Sequence, residues 1–178
     1  MDAETPIAHS KQRPHRAMTM LLRFMVVMLT FSFTLTIFPA TAVSENTTIK
    51  RVDLHTFEEI ILNKSTLNMV VAMAAWCKPC REEMPTLEKL HQKYSGTGLT
   101  LIGLSLDSKR PDPLQKLLDK HKVTFPVYWV GGDAAKKYRI YGIPMTLLIK
   151  NGEIVEKIPG QRSETFLIKK IAEYLEKE

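Results

Sequence analysis

The apolar run from Leu67 to Ala75 breaks at Trp76-Cys77-Lys78-Pro79-Cys80, and an amphipathic segment follows at once. No other feature constrains the fold as strongly. A strand without regular polar alternation is buried on both faces and therefore central in its sheet, which calls for covering layers on either side. Cys77 and Cys80 are the only cysteines of the chain. Three positions apart at a helix start, they lie within one turn, so their sulfurs can bond without moving the backbone far. The first thiol also sits at the positive end of the helix. Unpaired amides and aligned peptide dipoles favour an anion there, which lowers the thiol pKa and supplies an attacking thiolate.

Other uses of the pair fit less well. In the chain-entropy description a disulfide across so short a loop stabilises by only about 2 kcal/mol, against roughly 3 for a fifteen-residue loop. Structural zinc takes four ligands, and neither a third cysteine nor a histidine at ligand spacing accompanies the motif. Covalent haem attachment needs histidine directly after the second cysteine, where Arg81 stands. A non-catalytic copper(I) site stays open, because soft thiolates suit that ion and Met145 could complete it. Met69, Met73 and Met84 lie on apolar runs, where they read as core filling. For dithiol chemistry no cofactor and no resident metal is expected.

The chain has 178 residues, enough for one domain once a leader is discounted. Lys11, Arg13, Arg16 and Arg23 precede a predominantly apolar run of fifteen residues from Phe24 to Phe38, and Pro39-Ala40-Thr41-Ala42 offers small residues for cleavage. Residues 1–42 are therefore expected to be a signal peptide or membrane anchor, and 43–178 the folded domain. Spanning a bilayer takes about 20 residues, which the run reaches if extended to Val43, so cleaved signal and retained anchor both fit. Met18 and Met20 are alternative initiators. Because positive charge stays on the cytoplasmic side, the domain is expected in the periplasm or another extracytoplasmic space. Of the net charge of +6, the first 42 residues supply four cations and two acids, leaving +4 for the rest. That excess is spread among acids such as Glu82, Glu83 and Glu88, the pattern of a solvated surface, and excludes nucleic acid as the expected partner.

Strand-like and helix-like segments alternate from Thr48 onward, the mark of an α/β layer structure. Strands are expected at 49–53, 67–75 and 99–106, with a short extended piece at 125–130. Helices are expected at 56–62, from the cysteines to Tyr94, at 113–121 and at 133–138. Pro85 interrupts the hydrogen bonding of the second of these and predicts a kink. Asn151-Gly152 suits the primed turn of a hairpin joining 145–150 to 153–157. Ser163 is placed to cap a final helix striped by Phe166, Leu167, Ile171 and Leu175.

This order of elements resembles the thioredoxin fold, with a central mixed sheet flanked by helices. More narrowly, Trp76-Cys77-Lys78-Pro79-Cys80-Arg81-Glu82-Glu83-Met84-Pro85 resembles the W-C-x-P-C-x-x-E-x-P pattern of exported TlpA/ResA-like thiol:disulfide oxidoreductases. The resemblance implies that Pro144, in Gly142-Ile143-Pro144-Met145-Thr146, is cis and packs opposite the cysteines. Ile143 would then offer its backbone to a substrate polypeptide as a strand edge does. It also implies a role for Glu83, three residues past Cys80, in tuning or relaying that thiol's proton. Two departures stand out. Val71 occupies the place where cytoplasmic thioredoxins carry a buried aspartate, and Met73-Ala74-Ala75 lacks the aromatic common in relatives.

The implied reaction has Cys77 attack a partner disulfide and Cys80 resolve the mixed disulfide. Lys78 and Pro79 are expected to tune the pair, through positive charge and a stiffened first turn. Trp76 is expected to shield one side of the sulfurs and contact substrate. Partners are protein thiols or disulfides together with a membrane electron donor, in the service of a reductant that includes apocytochrome c among its targets. An oxidase or isomerase would use the same residues.

Overall fold

A computed structural model describes residues 47–62 and 67–176. The expected leader over residues 1–42 lies outside them. Along the chain run β1 (Lys50–Arg51), α1 (Leu54–Ile61), β2 (Leu67–Met73), α2 (Lys78–Tyr94), β3 (Leu99–Ser105), α3 (Asp112–Lys120), β4 (Val127–Trp129), α4 (Asp133–Lys137), β5 (Met145–Lys150), β6 (Glu153–Pro159) and α5 (Glu164–Glu176). The strands form one sheet in the order β1-β4-β3-β2-β5-β6. β1, β4, β3 and β2 run parallel, whereas β5 and β6 are antiparallel additions, so the sheet is mixed as expected.

Every residue of β2 is buried, as its apolar sequence demands. Its odd positions Leu67, Met69, Val71 and Met73 face one core, shared with Met84, Leu87 and Leu90 of α2, Leu114 and Leu118 of α3, and Leu167 and Ile171 of α5. Its even positions Val70 and Ala72 face a second core with Phe57 and Ile61 of α1 and Ala134 and Tyr138 beside α4. Period-two alternation of side chains thus serves two apolar layers at once. Each aliphatic side chain buried this way contributes roughly 1.5–3 kcal/mol relative to exposure. The single polar residue of β2, Asn68, donates to the Ile61 carbonyl at 2.9 Å and so meets the hydrogen-bonding requirement of a buried amide.

Local signals act where the sequence places them. Asn151 and Gly152 take φ of 55° and 82° in the hairpin turn, and the register shifts between Leu148 and Ile149. The Ser163 hydroxyl accepts from the Phe166 amide at 3.3 Å at the start of α5. α2 runs unbroken through Pro85, which is exposed. At Gly103 in β3 an added Cβ would stand 2.9 Å from a Val127 methyl carbon, which explains the absence of a side chain there. Among the described residues no helix is long and apolar enough to cross a membrane.

Candidate functional site

The carboxyl ends of the parallel strands β2 and β3 meet at the redox motif, the edge where open α/β sheets place their functional groups. The Leu106 amide donates to the Met73 carbonyl at 2.8 Å, closing the two strands together just before the chain turns into the motif. Cys77 and Cys80 are joined in a disulfide. Cys77 is the cap residue of α2, and its sulfur accepts from the Cys80 amide at 3.2 Å. The helix thus turns one of its unpaired amides on the first sulfur, where dipole and hydrogen bond both favour negative charge. Both cysteines are buried, Cys77 at 4% exposure and Cys80 at 1%.

The loop ahead of Cys77 is held from two sides. The Ala75 amide lies 3.2 and 3.3 Å from the two carboxylate oxygens of Asp107, and the Ala75 carbonyl accepts from Arg81 at 2.8 Å. Asp107 is buried just past β3, takes a hydrogen bond from the Ser105 hydroxyl at 3.1 Å, and its carbonyl accepts from the Trp129 indole at 2.7 Å. Burial pushes its carboxyl pKa above the ordinary value, against the lowering effect of the Ala75 amide and the Ser105 hydroxyl. Reading the sequence for chemistry missed Asp107. The available signal was its position at the carboxyl end of a strand adjacent to the motif-bearing one.

Glu83 lies one turn beyond Cys80 on the same face of α2. Its side chain is buried, and one oxygen accepts from the Arg162 amide at 2.9 Å. The other oxygen, Oε2, is buried without a hydrogen-bond partner. Burial raises the Glu83 pKa, opposed in smaller measure by the Arg162 amide and charge. Arg162 was also missed, and no signal could have revealed it: the bond uses its backbone amide, which any residue but proline supplies.

The remaining expected residues fall into two groups. The Ile143–Pro144 peptide is cis, Pro144 is buried, and Ile143 packs against the core cluster that contains both cysteines. The β2–β5 register pairs Ala72 with Met145, so Pro144 sits at the same end of the sheet as the strand that delivers Cys77. Lys78 and Trp76, by contrast, project outward. The Lys78 side chain is largely exposed and lies 3.8 Å from Glu82, so its charge is offset and screened. Trp76 is 69% exposed and so is not packed into the core. Pro79 occupies the first turn of α2, where its missing amide leaves no gap. Met145 packs against the second core, on the sheet face away from the cysteines, because alternate strand residues face opposite sides.

Residues 32–158 match the AhpC/TSA family. The chain belongs to that family. Within it the chain is a ResA/TlpA-like, thioredoxin-like protein. The thiol-disulfide oxidoreductase ResA of Bacillus thuringiensis subsp. konkukian is 32% identical over 104 residues, which cover 57% of each chain. The match thus spans little more than half the length of that relative. The solved thioredoxin domain of a thiol-disulfide oxidoreductase from Bacteroides vulgatus is 27% identical, with a TM-score of 0.53, over 66% of this chain and 84% of that one. A thiol-disulfide isomerase from Corynebacterium glutamicum shares the fold alone, at 19% identity and a TM-score of 0.59, over 76% of this chain and 99% of that one. The AhpC/TSA chain therefore carries its cysteine pair on a thioredoxin-like α/β scaffold.

Proposed function

We propose that this protein is a thiol:disulfide oxidoreductase that exchanges electrons with protein cysteines through Cys77 and Cys80. The observation that carries the reading is the bonded cysteine pair capping α2, with the Cys80 amide directed at the Cys77 sulfur. In the reduced protein Cys77 attacks one sulfur of a partner disulfide as a thiolate. The partner's S–S bond breaks, its other sulfur leaves as a thiolate, and a mixed disulfide forms. Cys80 loses its proton and attacks the Cys77 sulfur, releasing the partner's second thiolate and regenerating the Cys77–Cys80 bond. Two electrons pass to the partner. The unpartnered Oε2 of Glu83, on a carboxyl whose proton affinity burial has raised, is the atom that accepts the Cys80 proton.

Trp76, Ile143 and Pro144 form the partner-contacting surface of this reading, supported by the exposure of Trp76 and the packing of Ile143 beside the cysteine core. The preferred direction is reduction, outside the cytoplasm, with electrons drawn from a membrane donor and apocytochrome c among the targets. The basic residues and apolar run ahead of residue 43 support export, whether as cleaved signal or as anchor.

Cys77→Ser is expected to abolish reduction of insulin disulfides, whereas Cys80→Ser accumulates mixed disulfides with partners from periplasmic extract, visible on non-reducing gels and lost on reduction. Turnover surviving in Cys77→Ser would refute the nucleophile. A reduction potential measured against glutathione decides direction: a value near −120 mV would identify an oxidant, and one near −270 mV the reductant proposed here, each within roughly tens of millivolts.

A further inference from the structure

Next to the redox loop the surface dips into an open cavity of about 470 Å³. Ala75, which precedes the motif tryptophan, and Arg81, which follows Cys80, form one wall. Arg110 and the α3 residues Asp112, Pro113, Lys116 and Leu117 form the other. Three of these seven residues are cationic and one is acidic. The one acid is already engaged, with Asp112 at 3.5 Å from Arg110, and Lys109 adds an exposed cation beside it. Arg81 spends one nitrogen on the Ala75 carbonyl, which fixes the guanidinium along the wall. The methyl of Ala75 and the side chain of Leu117 give the cavity an apolar lining between the charges.

We infer that this groove is a docking site for an acidic polypeptide segment, one that carries carboxylate side chains next to the partner's reacting cysteine. The inference rests on the oxidoreductase reading and adds the chemistry of the preferred partner. Guanidinium groups match carboxylates in planar, paired hydrogen bonds, and an apolar lining accommodates the methylenes of glutamate. Ala75 lies in the loop that precedes Cys77 and Arg81 in the first turn of α2 directly after Cys80, so the groove adjoins the redox motif and lies within reach of a chain engaged at the sulfurs. Rim charges of this kind act chiefly on encounter rate and partner choice, and salt weakens them.

The test offers the reduced full-length chain two disulfide-linked peptides that differ only in Glu or Lys on either side of the cysteine. The second-order rate constant for reduction is expected to favour the Glu peptide about tenfold at low salt, and the gap to close near about 1 M salt. The double variant Arg110→Glu, Lys116→Glu is expected to reverse the preference. Equal rates for the two peptides, or a preference the double variant leaves intact, would overturn the groove assignment. Hydroxyethyl disulfide, small and uncharged, separates the two layers of inference. Equal reduction of it by both proteins shows an intact redox centre and confines any failure to the groove; no reduction by the wild type overturns the oxidoreductase reading and the docking site with it. Binding to phosphatidylglycerol vesicles that depends on Arg110 and Lys116, without a peptide preference, would give the groove to a lipid surface instead.

Discussion

Glu83 and Glu88 stand on the same helix, both buried, and the protein treats them in opposite ways. Around Glu88 the fold supplies donors on every side: the Thr124 amide at 2.8 Å, the Thr124 hydroxyl, and Gln92 at 2.9 Å. That carboxylate ties α2 to the segment leading into β4 and does structural work. Glu83 receives one amide, from Arg162, and keeps Oε2 buried and unpaired. A buried polar atom left without a partner costs about 1–3 kcal/mol, so its retention beside the cysteines calls for a reason other than stability. A missing partner, more than burial, separates Glu83, the acid to which the proposed mechanism gives the proton, from Glu88, the acid that holds the fold.

The largest expected effect tests the first half of that contrast. Glu83→Gln should slow resolution of the mixed disulfide about a hundredfold near neutral pH, the scale of a lost general acid–base group, and flatten the pH profile of that step. Rapid-quench measurement of partner release reads both, and an unchanged profile would erase the distinction. Next in size, Glu88→Ala should lower the unfolding free energy in urea by about 1–3 kcal/mol, since the Thr124 amide loses its acceptor, while disulfide exchange proceeds at the wild-type rate. A redox defect without destabilisation would reverse the assignments. Asp107→Asn keeps an oxygen for the Ala75 amide and should cost only about 1 kcal/mol, with a modest change in Cys77 reactivity from the loosened loop.

The smallest effect is a pH dependence of stability, and its sign follows from burial. Glu83 and Asp107 both have pKa values raised in the folded protein, principally by desolvation, so the native state holds these protons more tightly than the unfolded chain. Their unfavourable contribution is absent below the ordinary values of 3.8 for Asp107 and 4.5 for Glu83 and grows as pH rises through the raised ones. Thermal unfolding of the wild type should lose ground to Glu83→Gln over that window and keep a constant gap above it. A gap that widens on acidification would contradict the burial of Glu83.

The elements were legible because each has a local cause. β2 announces itself through an apolar run too continuous for a one-sided strand, the hairpin through Asn151-Gly152, and α5 through Ser163 and its apolar stripe. Their ends shifted by a few residues. α1 begins at Leu54 rather than Thr56, for example, because Asp53 caps it by accepting from the Thr56 amide at 2.8 Å. Lys78 and Trp76 illustrate a different limit. Sequence gives a residue's chemistry but not its direction, and both side chains point into solvent at the mouth of the site.

By itself the sequence determined the cysteine pair, its place at a strand-to-helix junction, the family pattern around it and the proline that lies near it, because spacing along one helix and one strand is a local property. Only the tertiary structure decided which distant groups converge there: Asp107 from the end of β3 on the Ala75 amide, the Arg162 backbone on Glu83, and Arg110 with Lys116 beside Arg81. Those contacts span some thirty to eighty positions and several use backbone atoms, which carry no side-chain signature, so they exist as chemistry only after the sheet has brought its strand ends together.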